Sequence, residues 1–157
     1  MQKYLLISIL FCTLFKIGNA QNSEVRAQSV FGEFGGNGLV FSANYDTRFQ
    51  NKQSGIGGRL GIGFFGGTGG GVLTFPIGIN YLSGKKGNYL ETGLGVTIVT
   101  ITGEDFGGVT GSVIVPSIGY RFQPLESGFT GRIVISPLIG TEGGFVFFAG
   151  ISAGFKF

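Results

Sequence analysis

The sequence contains no histidine and no tryptophan, and its one cysteine, Cys12, lies near the amino terminus. Without histidine the chain lacks the usual general base, the commonest metal ligand and the central member of a serine triad. A lone cysteine forms no internal disulfide and cannot build a thiolate zinc site. Charge is scarce: Asp, Glu, Lys and Arg make up 12% of the chain, about half of the roughly 25% of an ordinary soluble domain. Beyond the amino terminus no apolar run reaches the ~18 residues that a membrane-crossing helix needs. The expectation is a protein with no catalytic residues, cofactor or metal.

The amino terminus reads as a secretory signal over residues 1–20. Lys3 gives the positive start, residues 4–15 the apolar run, and Gly18 and Ala20 the small residues before cleavage. The alternative, a membrane anchor, is disfavoured because the run is short for a span. Phe11 precedes Cys12, where lipoprotein processing needs a small residue. The mature domain is then 21–157 and has no cysteine. Losing Lys3 and Lys16 leaves nine of eleven basic residues against eight acidic ones. A net charge near +1 gives no footprint for nucleic acid.

Glycine is abundant, 32 of 157 residues, and so is phenylalanine, at 17. Alternating stretches separated by turn formers predict eight strands, over residues 27–35, 39–49, 55–65, 72–82, 88–102, 109–122, 129–139 and 145–157. Most have the ~9–11 residues, or slightly more, of a tilted strand crossing a bilayer. In the last stretch Phe145, Phe147, Ala149, Ile151, Ala153, Phe155 and Phe157 share one face. In the second, Leu39, Phe41, Ala43, Tyr45 and Phe49 oppose Ser42, Asn44, Asp46 and Arg48. In a soluble barrel the polar face would meet water and carry many Lys and Glu. Here it carries mainly Gly, Ser, Thr and Asn with single charges, which suits a narrow lumen, with the apolar face on lipid. The fold expected is an all-β, eight-stranded antiparallel transmembrane barrel. A soluble ligand-carrying barrel is the structural rival. Pro76, Pro116 and Pro137 fall inside the expected strands and cannot donate a ladder hydrogen bond, so bulges or breaks are expected there.

An even strand number puts both termini on the periplasmic side. The connectors with Asn37, Thr68, Glu104, Asp105 and Glu142 then face outward, and those with Lys52, Lys85, Lys86 and Glu126 face the periplasm. Phe49, Tyr81, Tyr120, Phe122, Phe129, Phe155 and Phe157 would form the periplasmic aromatic belt. Phe34, Phe41, Phe64, Phe145 and Phe147 would form the outer one. The glycine run at 66–71 lacks the Lys-Ser/Thr and the helix of a phosphate loop, and reads as a hairpin.

Eight charged side chains are expected to point into the lumen: Glu33, Asp46, Arg48, Arg59, Glu91, Arg121, Arg132 and Lys156. Hairpin closure brings Asp46 opposite Arg59, and Glu91 opposite Arg121 with Arg132 nearby. They form either a structural ion-pair network or, since bases outnumber acids, an anion-attracting passage. An eight-stranded interior is just wide enough to be filled by side chains, which argues against an open pore.

Several segments resemble the small outer-membrane β-barrel proteins common in the Bacteroidota: PIGINYLSGKKG from Pro76, YLETG from Tyr89, and IGYRFQP from Ile118. NYDTRF from Asn44 and PLIG from Pro137 fit as well. The resemblance implies an outer-membrane barrel the size of the OmpA and OmpX barrels, with no catalytic residues to carry over. It also implies that Pro76 and Pro137 are family features. The expected function is structural or surface-interacting, with a small-solute channel or transporter component as the alternative and a lipid enzyme as a third reading. The expected surroundings are outer-membrane lipid in a Gram-negative bacterium and, during assembly, the barrel-insertion machinery. That machinery would read Phe155 and Phe157 as the insertion signal. A monomer that binds no nucleic acid is expected.

Overall fold

In the computed structural model the residues described are 26–157, except 68, 104–107 and 142. The expected signal segment lies outside them, as do Thr68, Glu104, Asp105 and Glu142. The described chain forms β1 (Gln28–Gly35), β2 (Phe41–Arg48), β3 (Gly55–Gly67), β4 (Gly70–Lys85), β5 (Asn88–Gly103) and β6 (Val109–Phe122). These are followed by β7 (Gly128–Ile135), β8 (Leu138–Gly140), β9 (Phe145–Val146) and β10 (Ala149–Lys156). A single 3-10 turn, Gly36–Gly38, joins β1 to β2.

Each strand from β1 to β6 pairs antiparallel with the next, β10 pairs with β7, and β1 pairs with β10 and closes the ring. The short β8 extends β7 along β6, and β9 extends β10 along β8. The molecule is therefore a closed, eight-stranded antiparallel barrel in which two staves are interrupted.

The prolines explain the interruptions. Across the β6 seam, Gly119 faces Val134 and Ile114 faces Ile139, an unchanged register that sets Pro116 against Pro137. Two residues without an N–H meet at one place, and the ladder opens there without a bulge. The expected seventh strand is thus split at Ser136 and Pro137. The expected eighth is split at Phe147 and Phe148, where Ser136 N–H still donates to Phe148 O at 2.8 Å. Pro76 keeps its pairing to Thr97 on β5, while the β3 side pairs at Leu60–Ile77 and resumes at Gly63–Thr74. The tight hairpin from β4 to β5 turns on Lys86 and Gly87, with φ of 55° and 87°. Positive φ at both central residues is what a two-residue type I′ turn requires.

The barrel is apolar outside and polar inside. Every aromatic side chain expected in the two belts is exposed, from Phe122 at 41% to Phe147 at 68%. Among the described residues seven apolar side chains, Pro76 included, are buried, against nineteen polar or charged ones. Packing in water gives the reverse arrangement. Outside-apolar, inside-polar alternation is that of a barrel solvated by lipid.

Candidate functional site

The strand period of two sorts side chains between lipid face and lumen. All eight sequence-predicted charged residues lie inside, and each is at most 6% exposed. Seven of them form one unbroken chain of ion pairs. Arg59 Nη2 meets Glu33 Oε1 at 3.0 Å, and the other Glu33 oxygen takes Arg132 Nη2. Arg132 Nη1 meets Glu91 Oε1 at 2.9 Å, and Glu91 Oε2 accepts from Arg121 Nε at 2.7 Å. The Arg121 fork grips both oxygens of Asp46, at 2.9 and 3.2 Å, and Asp46 Oδ1 also accepts from Arg48 Nη2 at 2.6 Å. Four guanidiniums and three carboxylates therefore alternate across the lumen. Lys156 stands apart: its ammonium donates to the carbonyls of Pro124, Leu125 and Glu126 at 2.6–3.1 Å.

Hairpin closure predicts the partners in part: Glu91 pairs with Arg121 and Arg132 as expected, whereas Asp46 and Arg59 do not pair. Asp46 does face Arg59 in the β2–β3 register. No ion pair joins them, however, because the long Arg59 side chain runs on to Glu33 on β1 while Asp46 is held by Arg48 and Arg121. Glu91 is not opposite Arg121: Tyr89 faces Arg121 and Glu91 faces Gly119. The pair forms along the diagonal, which long side chains can span. Arg121 directly faces Arg132, a like-charge pair that Glu91 bridges.

Sequence reasoning missed several members of this assembly. Phe31 points inward and is sandwiched by guanidiniums, with Arg132 Cζ at 4.6 Å and Arg59 Cζ at 5.7 Å from its ring centroid. Its signal was available, since it shares the parity of Ser29 and Glu33. Asn80 donates to Asp46 and accepts from Arg48, so it ties β4 into a network already built from six strands. Gln123 Nε2 donates to Gln53 O at 3.1 Å and Gln123 Oε1 accepts from Arg121, at the end of the barrel where β1 begins and β10 ends.

The larger correction concerns the Asn37 connector. Expected as an outward turn, it folds into the barrel, and Gly36, Asn37 and Gly38 are all buried. Glu33 Oε1 accepts from the N–H of Asn37 at 3.0 Å and of Gly38 at 3.3 Å. From the far walls, Thr97 Oγ1 donates to Asn37 O at 2.6 Å and Thr74 Oγ1 to Gly38 O at 3.0 Å. These bonds satisfy backbone groups that burial would otherwise leave unpaired. Glycine is required for the approach: a Cβ on Gly36 would stand 2.8 Å from the Glu33 carboxyl, and one on Gly38 would overlap the Ser42 side chain. The turn and the ion chain share Glu33, so they form one plug.

Together these features define a closed, eight-stranded barrel of the outer-membrane type with a filled, charge-lined interior. Its fold is that of the N-terminal β-barrel domain of OprF from Pseudomonas aeruginosa, with a TM-score of 0.54 at 18% identity. The match covers 87% of this chain and 100% of that domain. No protein-family model matches the sequence, and no curated protein does.

Proposed function

We propose that this chain is an integral outer-membrane protein of a Gram-negative bacterium with a structural or surface-interaction role, and that its lumen conducts no solute. The observation that supports this reading best is the plug. An unbroken chain of ion pairs crosses the lumen below a buried turn, inside a barrel whose exterior is apolar. In this reading residues 1–20 direct export and are removed. The barrel-insertion machinery recognises the final strand with Phe155 and Phe157, and the folded protein is a monomer surrounded by lipid. It is not an enzyme and uses no cofactor. The similarity of its segments to the small Bacteroidota barrels belongs to the same reading.

Cell fractionation and solute flux test it together. The protein is expected in the outer-membrane fraction after carbonate washing, and vesicles containing it are expected to release small sugars and amino acids no faster than empty ones. Protein washed off by carbonate would contradict the membrane assignment. Size-dependent release would establish the alternative, a small-solute channel.

A further inference from the structure

The apolar outer wall is not smooth. Across β10, β1 and β2 the outward positions at one level are Ala153, Gly32 and Ala43, which face one another in register. The next level toward the start of β1 carries Phe155, Val30 and Tyr45, also in register. Small residues beside large ones leave an open apolar groove of about 750 Å³, flanked beyond β2 by side chains of β3 and β4. That volume lies within the ~300–1,000 Å³ of small-molecule sites.

The wall changes character toward the end where β1 begins. Past Val30 and Tyr45 the outward positions are Gln28 and Thr47, which pair. Past these lie two exposed bases, Arg26 and Lys52. Their segments are joined, since Ala27 N–H donates to Lys52 O at 3.4 Å. Neither base forms an ion pair with a described residue. Among the described residues the exposed acid at this end is Glu126, on the β6–β7 connector, across β10 from β1. From Gly32 back to Arg26 the chain covers ~20 Å of extended strand, or ~15 Å along the membrane normal at a tilt of ~40°. That is half of the ~30 Å hydrocarbon core. The groove floor therefore stands at mid-bilayer when the two bases stand at headgroup level.

We propose that this wall binds one net-anionic glycerophospholipid, with an acyl chain in the groove and the headgroup phosphate held by Arg26 and Lys52. The inference rests on the outer-membrane reading, in which this end faces the periplasmic leaflet. A guanidinium grips a phosphate through two N–H groups, and an ammonium adds a point charge. A zwitterionic headgroup would bring a cation to two bases with no carboxylate beside them, so charge selects a lipid of net negative charge. A second copy packed here about a two-fold axis would set these bases against their own equivalents.

Native mass spectrometry of the full mature barrel tests the site, after refolding in nonionic detergent with equimolar dioleoyl phosphatidylglycerol and dioleoyl phosphatidylcholine. The folded wild type is expected to retain one phosphatidylglycerol, preferred about fivefold or more, the effect of a base near an anionic headgroup. Arg26→Gln combined with Lys52→Gln should abolish the preference. Lys85→Gln combined with Lys86→Gln, exposed bases on the β4–β5 turn, should preserve it. Gly32→Val should fold and retain less of both lipids, because its new Cβ meets only the Phe41 ring, at 3.8 Å, and fills the groove floor. Equal retention of the two lipids by the wild type overturns the proposal. So does a preference that survives the loss of Arg26 and Lys52, one lost equally with Lys85 and Lys86, or a Gly32→Val barrel that holds lipid as the wild type does. The carbonate wash tests the membrane reading separately: protein that resists the wash yet shows no lipid preference refutes the lipid site alone.

Discussion

Arg121 shows what each luminal charge is worth. It holds Glu91 and both oxygens of Asp46, and all three residues are at most 2% exposed. Replacing it with alanine takes from Asp46 the fork that grips both its oxygens and from Glu91 one of its two guanidinium partners. The expected loss is about 3–5 kcal/mol, read from urea unfolding in vesicles. Tyrosine fluorescence or the heat-dependent gel shift must report it, because the chain has no tryptophan. Glu33→Ala is expected to cost at least as much, since that carboxylate also holds two N–H groups of the buried turn. The exposed Glu126 is the control, and its replacement by alanine should change stability by no more than about 0.5 kcal/mol. At this scale the inward parity of the eight charges was legible in the sequence, because a strand alternates with period two. Their partners were legible in part: Glu91 pairs with Arg121 and Arg132 as expected, whereas Asp46 pairs with Arg48 and Arg121 in place of Arg59. Asp46 and Arg121 are 75 residues apart and meet across the lumen, and nothing local in the sequence encodes that contact.

Among the elements, the strands were legible and their breaks only partly so. Pro116 and Pro137 mark a weak point in the sequence, but their mutual opposition depends on the β6–β7 register. The inward turn was hidden, because Gly-Asn-Gly is also an ordinary hairpin connector. What distinguishes it lies elsewhere: a carboxylate at Glu33, hydroxyls at Thr74 and Thr97, and small residues where it packs, such as Gly150. Gly38→Ala tests the packing. The new methyl group overlaps Ser42, so the variant should be destabilised, and less so when combined with Ser42→Gly. A double-mutant cycle is expected to give a coupling of about 0.5–3 kcal/mol; additive losses would mean the turn does not pack on Ser42. The last strand carries a separate expectation. Phe157 N–H donates to Gln28 O at 3.0 Å and its ring is exposed. Deleting Phe157 should reduce the amount of folded protein in the outer membrane while barrel refolding in detergent is retained. Normal assembly in cells would leave Phe157 as a member of the aromatic belt alone.

For the molecule as a whole, the inverted distribution of polarity and the filled lumen have one origin. A narrow barrel with lipid outside must satisfy its buried polar groups internally, and side chains from facing walls reach one another. The network and the turn do this together, and in the proposed reading they occlude the axis. The overall class was legible because alternation, turn spacing and the scarcity of exposed charge all agree. A lumen filled by side chains and ion pairs was legible as well; the part taken by the inward turn was not, since it arises from contacts across the lumen. Single-channel recording from the refolded, heat-modifiable barrel in planar bilayers tests this most directly. The occluded lumen predicts no unit conductance in the wild type under either polarity. Stable, ohmic conductance steps from the fully folded wild-type protein would contradict it.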